Sequence, residues 1–271
     1  TPKGATYEAT AEEFISGAPL PLTDGTIGPD GALYFATGGR RLESDLYRVY
    51  YKGELDTYTP LKEADLPQEA KLRRELEQFH AKGASPVGLE KAWSNLNHPD
   101  RFVQYAARLV LEHQPVATWK AKALAETNPT SKIQAILALA HQGTDADAAA
   151  MLTSLMQLDY ATLSATDKQN ILRTIEVILS RYDKGATASK AQLVGYLDPH
   201  YPADDNLLNR SLSILLVHLD APSVVGKTLA LLKDAKDDPN YQKTFMESSD
   251  LILRNPQYGL DIANMLANVP P

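Results

Sequence analysis

The sequence predicts a mainly α-helical fold, an array of antiparallel helix pairs preceded by a short β-rich segment. Three observations predict it. From Asp65 onward, apolar residues recur with the period of a helix, between start signals of Ser, Thr, Asn, Asp or Pro. Before Asp65, turn residues crowd between short alternating runs. Within the helical region, apolar triplets at i, i+4 and i+7 return at nearly constant intervals. About 60% helix is expected, against roughly a third in an ordinary globular domain.

Composition bounds the classes of function. The chain has 271 residues, 27 Lys and Arg, 34 Asp and Glu, and a net charge of −7. With 44% hydrophobic and 23% charged residues, it can bury a core without disulfides or metals. The absence of cysteine excludes disulfides, thiolate metal sites, a Cys nucleophile and a CxxCH haem attachment. Residues 1–65 carry net −5, 66–114 net +1 and 115–271 net −3. No basic stripe offers a footprint for a nucleic-acid backbone or an acidic membrane surface. No run reaches the roughly 18 apolar residues of a membrane span. The chain opens at Thr1 with no initiator Met or leader, and reads as a processed product or an excised piece.

Residues 1–64 are the β-rich segment. Ala11 to Ile15 predicts one helical turn, with Thr10 as N-cap and Glu13 closing a capping box. Pro19, Pro21, Asp24-Gly25, Gly28-Pro29-Asp30-Gly31 and Gly38-Gly39 are turn signals, the Asp-Gly and Gly-Gly pairs supplying positive φ. Between them, Ala32 to Ala36 and Leu46 to Tyr51 predict strands. Two or three strands make about one antiparallel unit, which is marginal without neighbours.

The strings Pro21-Leu22-Thr23-Asp24, Gly28-Pro29-Asp30-Gly31-Ala32-Leu33-Tyr34-Phe35, Gly38-Gly39-Arg40 and Asp45-Leu46-Tyr47-Arg48-Val49 resemble the last blade of a bacterial β-propeller. The family is the sorbosone-dehydrogenase-like, "membrane-bound dehydrogenase" propeller. The resemblance covers about a ninth of the chain. It implies an internal piece of a periplasmic or extracellular protein, a blade remnant followed by HEAT-like helices. Large members of that family often end in a c-type cytochrome domain. The parent protein would then carry a quinone cofactor and c-type haem, with no cofactor in this chain. This chain departs from the pattern in having one blade and no CxxCH.

Residues 65–271 are the helical domain. Asp65 is read as capping Leu66-Pro67 of a first helix, with Leu72, Leu76 and Phe79 on one face. Further helices are expected at about 86–95, 99–113, 116–126, 130–142, 145–157, 166–182, 187–197, 205–218, 222–235, 241–254 and 258–267. Connections this short make successive helices antiparallel. Alternate helices align as Val103/Ala107/Val110, Ile133/Leu137/Ala140, Ile171/Ile175/Ile178 and Leu208/Leu212/Leu215, stepping by 30, 38 and 37 residues. A weaker row, Phe245/Ser249/Ile252, follows 37 residues later. The step lies just below the HEAT and armadillo range of about 40–47, and the TPR signature is missing. The expected architecture is a HEAT-like α-α superhelix, or α-solenoid.

Candidate sites are few. His80, His98, His113, His141, His200 and His218 form no HExxH or i,i+4 pair, which argues against a metal site. Asp145/Asp147, Asp204/Asp205 and Asp237/Asp238 sit at loop–helix junctions and read as caps. Trp93 and Trp119 lie in apolar stripes and read as core. Gly38-Gly39-Arg40-Arg41 remains: two guanidinium groups on a Gly-shaped turn suit a carboxylate or other anion. The competing reading is a solvated turn, with Arg40 or Arg41 paired to Glu43 or Asp45. No Ser–His–Asp order, P-loop or GxGxxG is present.

The expected function is a non-catalytic structural and protein-interaction module, with a protein partner or neighbouring domains of the same polypeptide. The alternative is a fragment that contributes to a quinone-dependent sugar or alcohol dehydrogenase site. A free-standing peptide-binding array is the third reading.

Overall fold

The computed structural model describes residues 1–17, 20–39, 42–53, 62–81 and 83–234. The chain divides into two compact units, Thr1–Lys71 and Leu72–Pro271. The described chain is mainly helical, at 59%, with a small antiparallel sheet near its N-terminus.

In the first unit, β1 (Pro2–Lys3) and β2 (Thr6–Tyr7) pair as a minimal hairpin around Gly4, whose φ is +55°. A three-stranded antiparallel sheet follows, of β3 (Leu22–Ile27), β4 (Leu33–Gly39) and β5 (Leu42–Val49), in the order β3-β4-β5. Gly28 to Gly31 makes the first turn. The Gly28 amide donates to the Ala32 carbonyl at 2.9 Å, and Gly31 adopts φ +76°, a conformation that glycine enters without a Cβ penalty.

Three expectations need correction here. Asp24-Gly25 is no turn: both residues lie inside β3, opposite Ala36 and Phe35, beside a register irregularity between Leu22 and Asp24. The ladder to β4 overrides the local turn preference. Gly38 and Gly39 are extended residues of β4, and neither has positive φ. Residues 11–17 form no helical turn, and Phe14 is 75% exposed. A single turn with no apolar surface to cover cannot offset the cost of helix nucleation.

The helical region begins with α1 (Gln68–Glu77), which starts in the first unit and ends in the second. Asp65 does not cap it, because it closes a separate 3-10 turn at Glu63–Asp65. Then come α2 (Pro86–Trp93), α3 (Arg101–Glu112), α4 (Lys120–Ala125), α5 (Pro129–Gln142), α6 (Ala148–Met156), α7 (Ala165–Ala186), α8 (Lys190–Leu197), α9 (Asn206–His218) and α10 (Val224–Asp234). The expected helices at 241–254 and 258–267 lie outside the described residues, as do Asp237 and Asp238.

Most start signals act as read. The side chains of Ser85, Asp100, Asn128, Ser164 and Asp205 each accept from a backbone amide in the first turn that follows. At 145 the cap is instead Thr144, in a reciprocal box with Asp147. Helix α7 breaks locally at Tyr182 (φ −137°, ψ 42°), where the period predicts its end, and one further turn follows.

Packing alternates. Helix α3 lies on α5, α5 on α7 and α7 on α9, while α4 contacts α6 and α6 contacts α8. The rows of apolar triplets are the buried stripes of α3, α5, α7 and α9; Leu137 alone among those twelve residues is half-buried. Helix α5 is enclosed almost all round, by α3, α4, α6 and α7. Its alanines 135, 138 and 140 let those neighbours approach closely.

Candidate functional site

The anion-binding reading rested on Gly38, Gly39, Arg40 and Arg41. Gly39 of β4 pairs with Leu42 of β5. A Cβ on Gly38 would stand 2.9 Å from the Ser44 hydroxyl, so glycine here serves close strand packing. Asp45, one of the two carboxylates offered as a partner, is the cross-strand neighbour of Thr37. Arg40 and Arg41 lie outside the described residues.

One face of this sheet carries a polar group that sequence reasoning missed. Arg48 donates to Asp30 Oδ2 through Nε at 3.0 Å and through a terminal nitrogen at 2.8 Å. The Tyr34 hydroxyl donates to the same oxygen at 2.9 Å, and the Arg48 guanidinium lies 4.8 Å from the Tyr50 ring centroid. Tyr34 of β4 and Arg48 of β5 are direct cross-strand partners, so their pairing follows from the register between two strands that the sequence marked without fixing how they align. The group locks the Gly28–Gly31 turn to β5.

The Arg48 guanidinium, then the Tyr34 hydroxyl, holds the Asp30 carboxyl down to about 2 from its ordinary 3.8. The folded state therefore binds this proton more weakly than the unfolded chain does. The resulting stabilisation is complete above about pH 4 and is lost as the pH falls from there toward 2. A carboxyl-carbon NMR titration is expected to place the Asp30 midpoint near 2, and Arg48→Gln to return it toward 3.8. A midpoint near 3.8 in the unaltered chain would remove the clamp from the account.

In the helical unit, polar side chains collect where helices end. Glu112 at the end of α3 forms an ion pair with Arg108 at 3.2 Å and lies 2.9 Å from His141 Nδ1 of α5. Arg181 of α7 donates to the His141 carbonyl at 3.2 Å, and Asp183 pairs with Lys190 at 3.0 Å and His218 of α9 at 3.4 Å. A polar column thus crosses α3, α5, α7 and α9 near their C-termini. Tyr182 donates to the Gly143 carbonyl, Tyr196 to the Leu158 carbonyl and Ser154 to the Leu124 carbonyl. Each satisfies a carbonyl in the last turn of a helix or within two residues beyond it.

Lys132 is the least expected of these groups. It is 3% exposed, yet its ammonium donates to the Ser154 carbonyl at 3.1 Å and to Gln157 Oε1 at 3.0 Å. Burial pushes its pKa down, and Glu126 opposes that. A cation at the C-terminus of α6 is favoured by the helix dipole, which gives the buried charge a structural role. Trp93, read as core, is half-buried: it donates to Glu126 at 2.6 Å beneath the Lys122 ammonium. Trp119 is core as read, with its indole N–H on the Gln114 carbonyl at 3.3 Å.

Besides His141 and His218, which face carboxylates, the other histidines meet backbone groups or neighbouring rings. His80 and His113 stack at 5.5 Å between centroids, and each has one ring nitrogen on a helix carbonyl. His200 lies 4.6 Å from the Tyr160 ring centroid, and burial lowers its pKa. Burial pushes the Tyr160 hydroxyl up to about 12. Among the described residues, no group of three His, Asp or Glu side chains is placed to hold a metal ion. No described helix is long and apolar enough to cross a membrane.

The fold and its polar groups define a mainly helical protein with a small antiparallel sheet, in which several polar side chains join the ends of alternate helices. No protein-family model, no curated protein and no solved structure matches the chain.

Proposed function

We propose that this chain is a non-catalytic structural and protein-interaction module, a HEAT-like α-solenoid joined to a blade-like β segment. The observation that carries it is the alternate packing of α3, α5, α7 and α9 beside that of α4, α6 and α8, on units of near-constant length. Arrays of this kind bury a continuous core between neighbours and leave an extended surface for partners. The polar column supports the same reading, because its residues bond across successive units.

The larger protein would be an extracytoplasmic oxidoreductase of the sorbosone-dehydrogenase-like kind, with its quinone and haem chemistry held elsewhere in the polypeptide. In support, residues 22–49, which carry that resemblance, form a three-stranded antiparallel sheet. Its Leu22, Ile27 and Leu46 stand more than half exposed, which suits a sheet with sheet neighbours of the same polypeptide on its faces.

The test is an assay of the purified chain with sugars, a quinone cofactor, calcium and an artificial electron acceptor. No turnover is expected, because oxidoreductase chemistry needs a bound, oriented electron carrier. Sustained dye reduction that disappears on Arg40→Ala would establish the dehydrogenase-fragment reading instead.

A further inference from the structure

His80 and His113 come from different segments of the helical unit and meet ring to ring. His80 follows the end of α1, and His113 is the C-cap of α3. Their rings stack at 5.5 Å between centroids, with 16° between planes. His80 Nε2 lies 2.9 Å from the Ala106 carbonyl oxygen, and His113 Nδ1 lies 2.8 Å from that of Leu109. A carbonyl only accepts, so each of these nitrogens carries a proton and donates it. In the neutral rings, His80 Nδ1 and His113 Nε2 therefore keep a lone pair. Both hydrogen bonds end on one face of α3, and the two nitrogens of an imidazole face nearly opposite ways, so both lone pairs are turned away from that helix. Among the described residues neither lone pair has a partner, and His113 is exposed while His80 is half-buried.

We propose that His80 and His113 form a site for a divalent transition-metal ion of the kind imidazole ligates, Zn2+ foremost, with water in its remaining positions. Three observations support it. An imidazole that ligates a metal through one nitrogen ordinarily gives its other N–H to a backbone carbonyl or carboxylate, and both rings are already held in that way. With metal–nitrogen bonds of about 2.0–2.1 Å, one ion can be shared by rings whose centroids lie up to about 6.5 Å apart, and this pair is within that reach. The carbonyl end of α3 gives the position a partial negative charge, which favours a cation. No third His, Asp or Glu among the described residues joins the pair, so the ion stays open to water and to exchangeable ligands. Bound there, it ties the chain after α1 to the end of α3. The pair matches no metal-ligand spacing in the sequence, and only packing of the two segments brings it together.

The test is isothermal titration calorimetry of the full chain with zinc chloride, at about pH 7.5 in a weakly coordinating buffer, above the ordinary imidazole range. One zinc ion per chain is expected at the tightest site. His80→Gln and His113→Gln should each weaken that site about tenfold or more, while His98→Gln leaves it unchanged. Circular dichroism checks that helix content is retained in each variant. A second measurement uses the unaltered chain and so does not depend on how the variants fold. Substoichiometric Ni2+, which is paramagnetic, should broaden the imidazole NMR signals of His80 and His113 before those of His98, His141, His200 and His218. Zinc affinity unchanged in both variants would overturn the proposal, as would the lack of a site for one zinc ion per chain. Weakening by only one of the two variants would reduce the site to a single-histidine contact and overturn it too. Nickel broadening that begins at another histidine would do the same. Turnover in the dye assay would bear on the function proposed above and leave this result untouched.

Discussion

Trp119→Ala is expected to lower the unfolding free energy of the helical unit by about 3–5 kcal/mol. Trp119 is 2% exposed and is among the largest fully buried side chains of the protein. It sits between a 3-10 turn at Val116–Thr118 and the first residue of α4, where its ring fills space that an alanine cannot. The loss combines transfer of a large apolar surface to water with the cavity left behind, and close-packed helices relax into such a cavity only in part. The indole bond to the Gln114 carbonyl is long, at 3.3 Å, and adds about 1 kcal/mol at most. Trp119→Phe should therefore recover most of the stability. Chemical denaturation followed by far-ultraviolet circular dichroism measures both variants, and a loss below about 1 kcal/mol for Trp119→Ala would show that the site collapses without cost.

Gly185→Ala is expected to destabilise the protein by about 1–3 kcal/mol, against the usual sign of that substitution in a helix. Near the end of a helix, alanine is ordinarily favoured over glycine by up to about 1 kcal/mol. Here a Cβ on Gly185 would fall on the carbonyl oxygen of Asp145, a backbone atom in the turn between α5 and α6. The Gly185 amide also donates to Asp145 Oδ1 at 3.0 Å, so the two segments cannot part without losing that bond. Backbone against Cβ leaves no flexible side chain to give way. A thermal unfolding midpoint lower by several degrees is the expected reading, at about 2–4 °C per kcal/mol for a chain of this size. An unchanged or raised midpoint would show that the turn at Asp145 yields freely.

Local chemistry accounts for what was legible beforehand. Helix starts at Ser85, Asp100, Asn128, Ser164 and Asp205 were readable because a cap is a contact between residues two or three apart. The buried rows of α3, α5, α7 and α9 were readable because helical period places i, i+4 and i+7 on one face. Where local signals were weak or compensated, the reading erred. Asp24-Gly25 looks like a turn on its own, and only the ladder to β4 makes it strand. Ala11 to Ile15 looks like a helical turn, and only the lack of a surface to cover leaves it irregular.

The helical character of the chain, its start signals and its repeating apolar rows were thus determined by sequence alone, through interactions spanning a few residues. Tertiary structure alone decided which polar groups meet: Asp30 with Arg48 across a strand register, Glu112 with His141 between alternate helices, Lys132 with the carbonyl end of α6. Those partners are separated by 18 to 29 residues, and no local periodicity encodes such a distance. They are brought together only when burial of the apolar rows fixes how one helix or strand lies against the next.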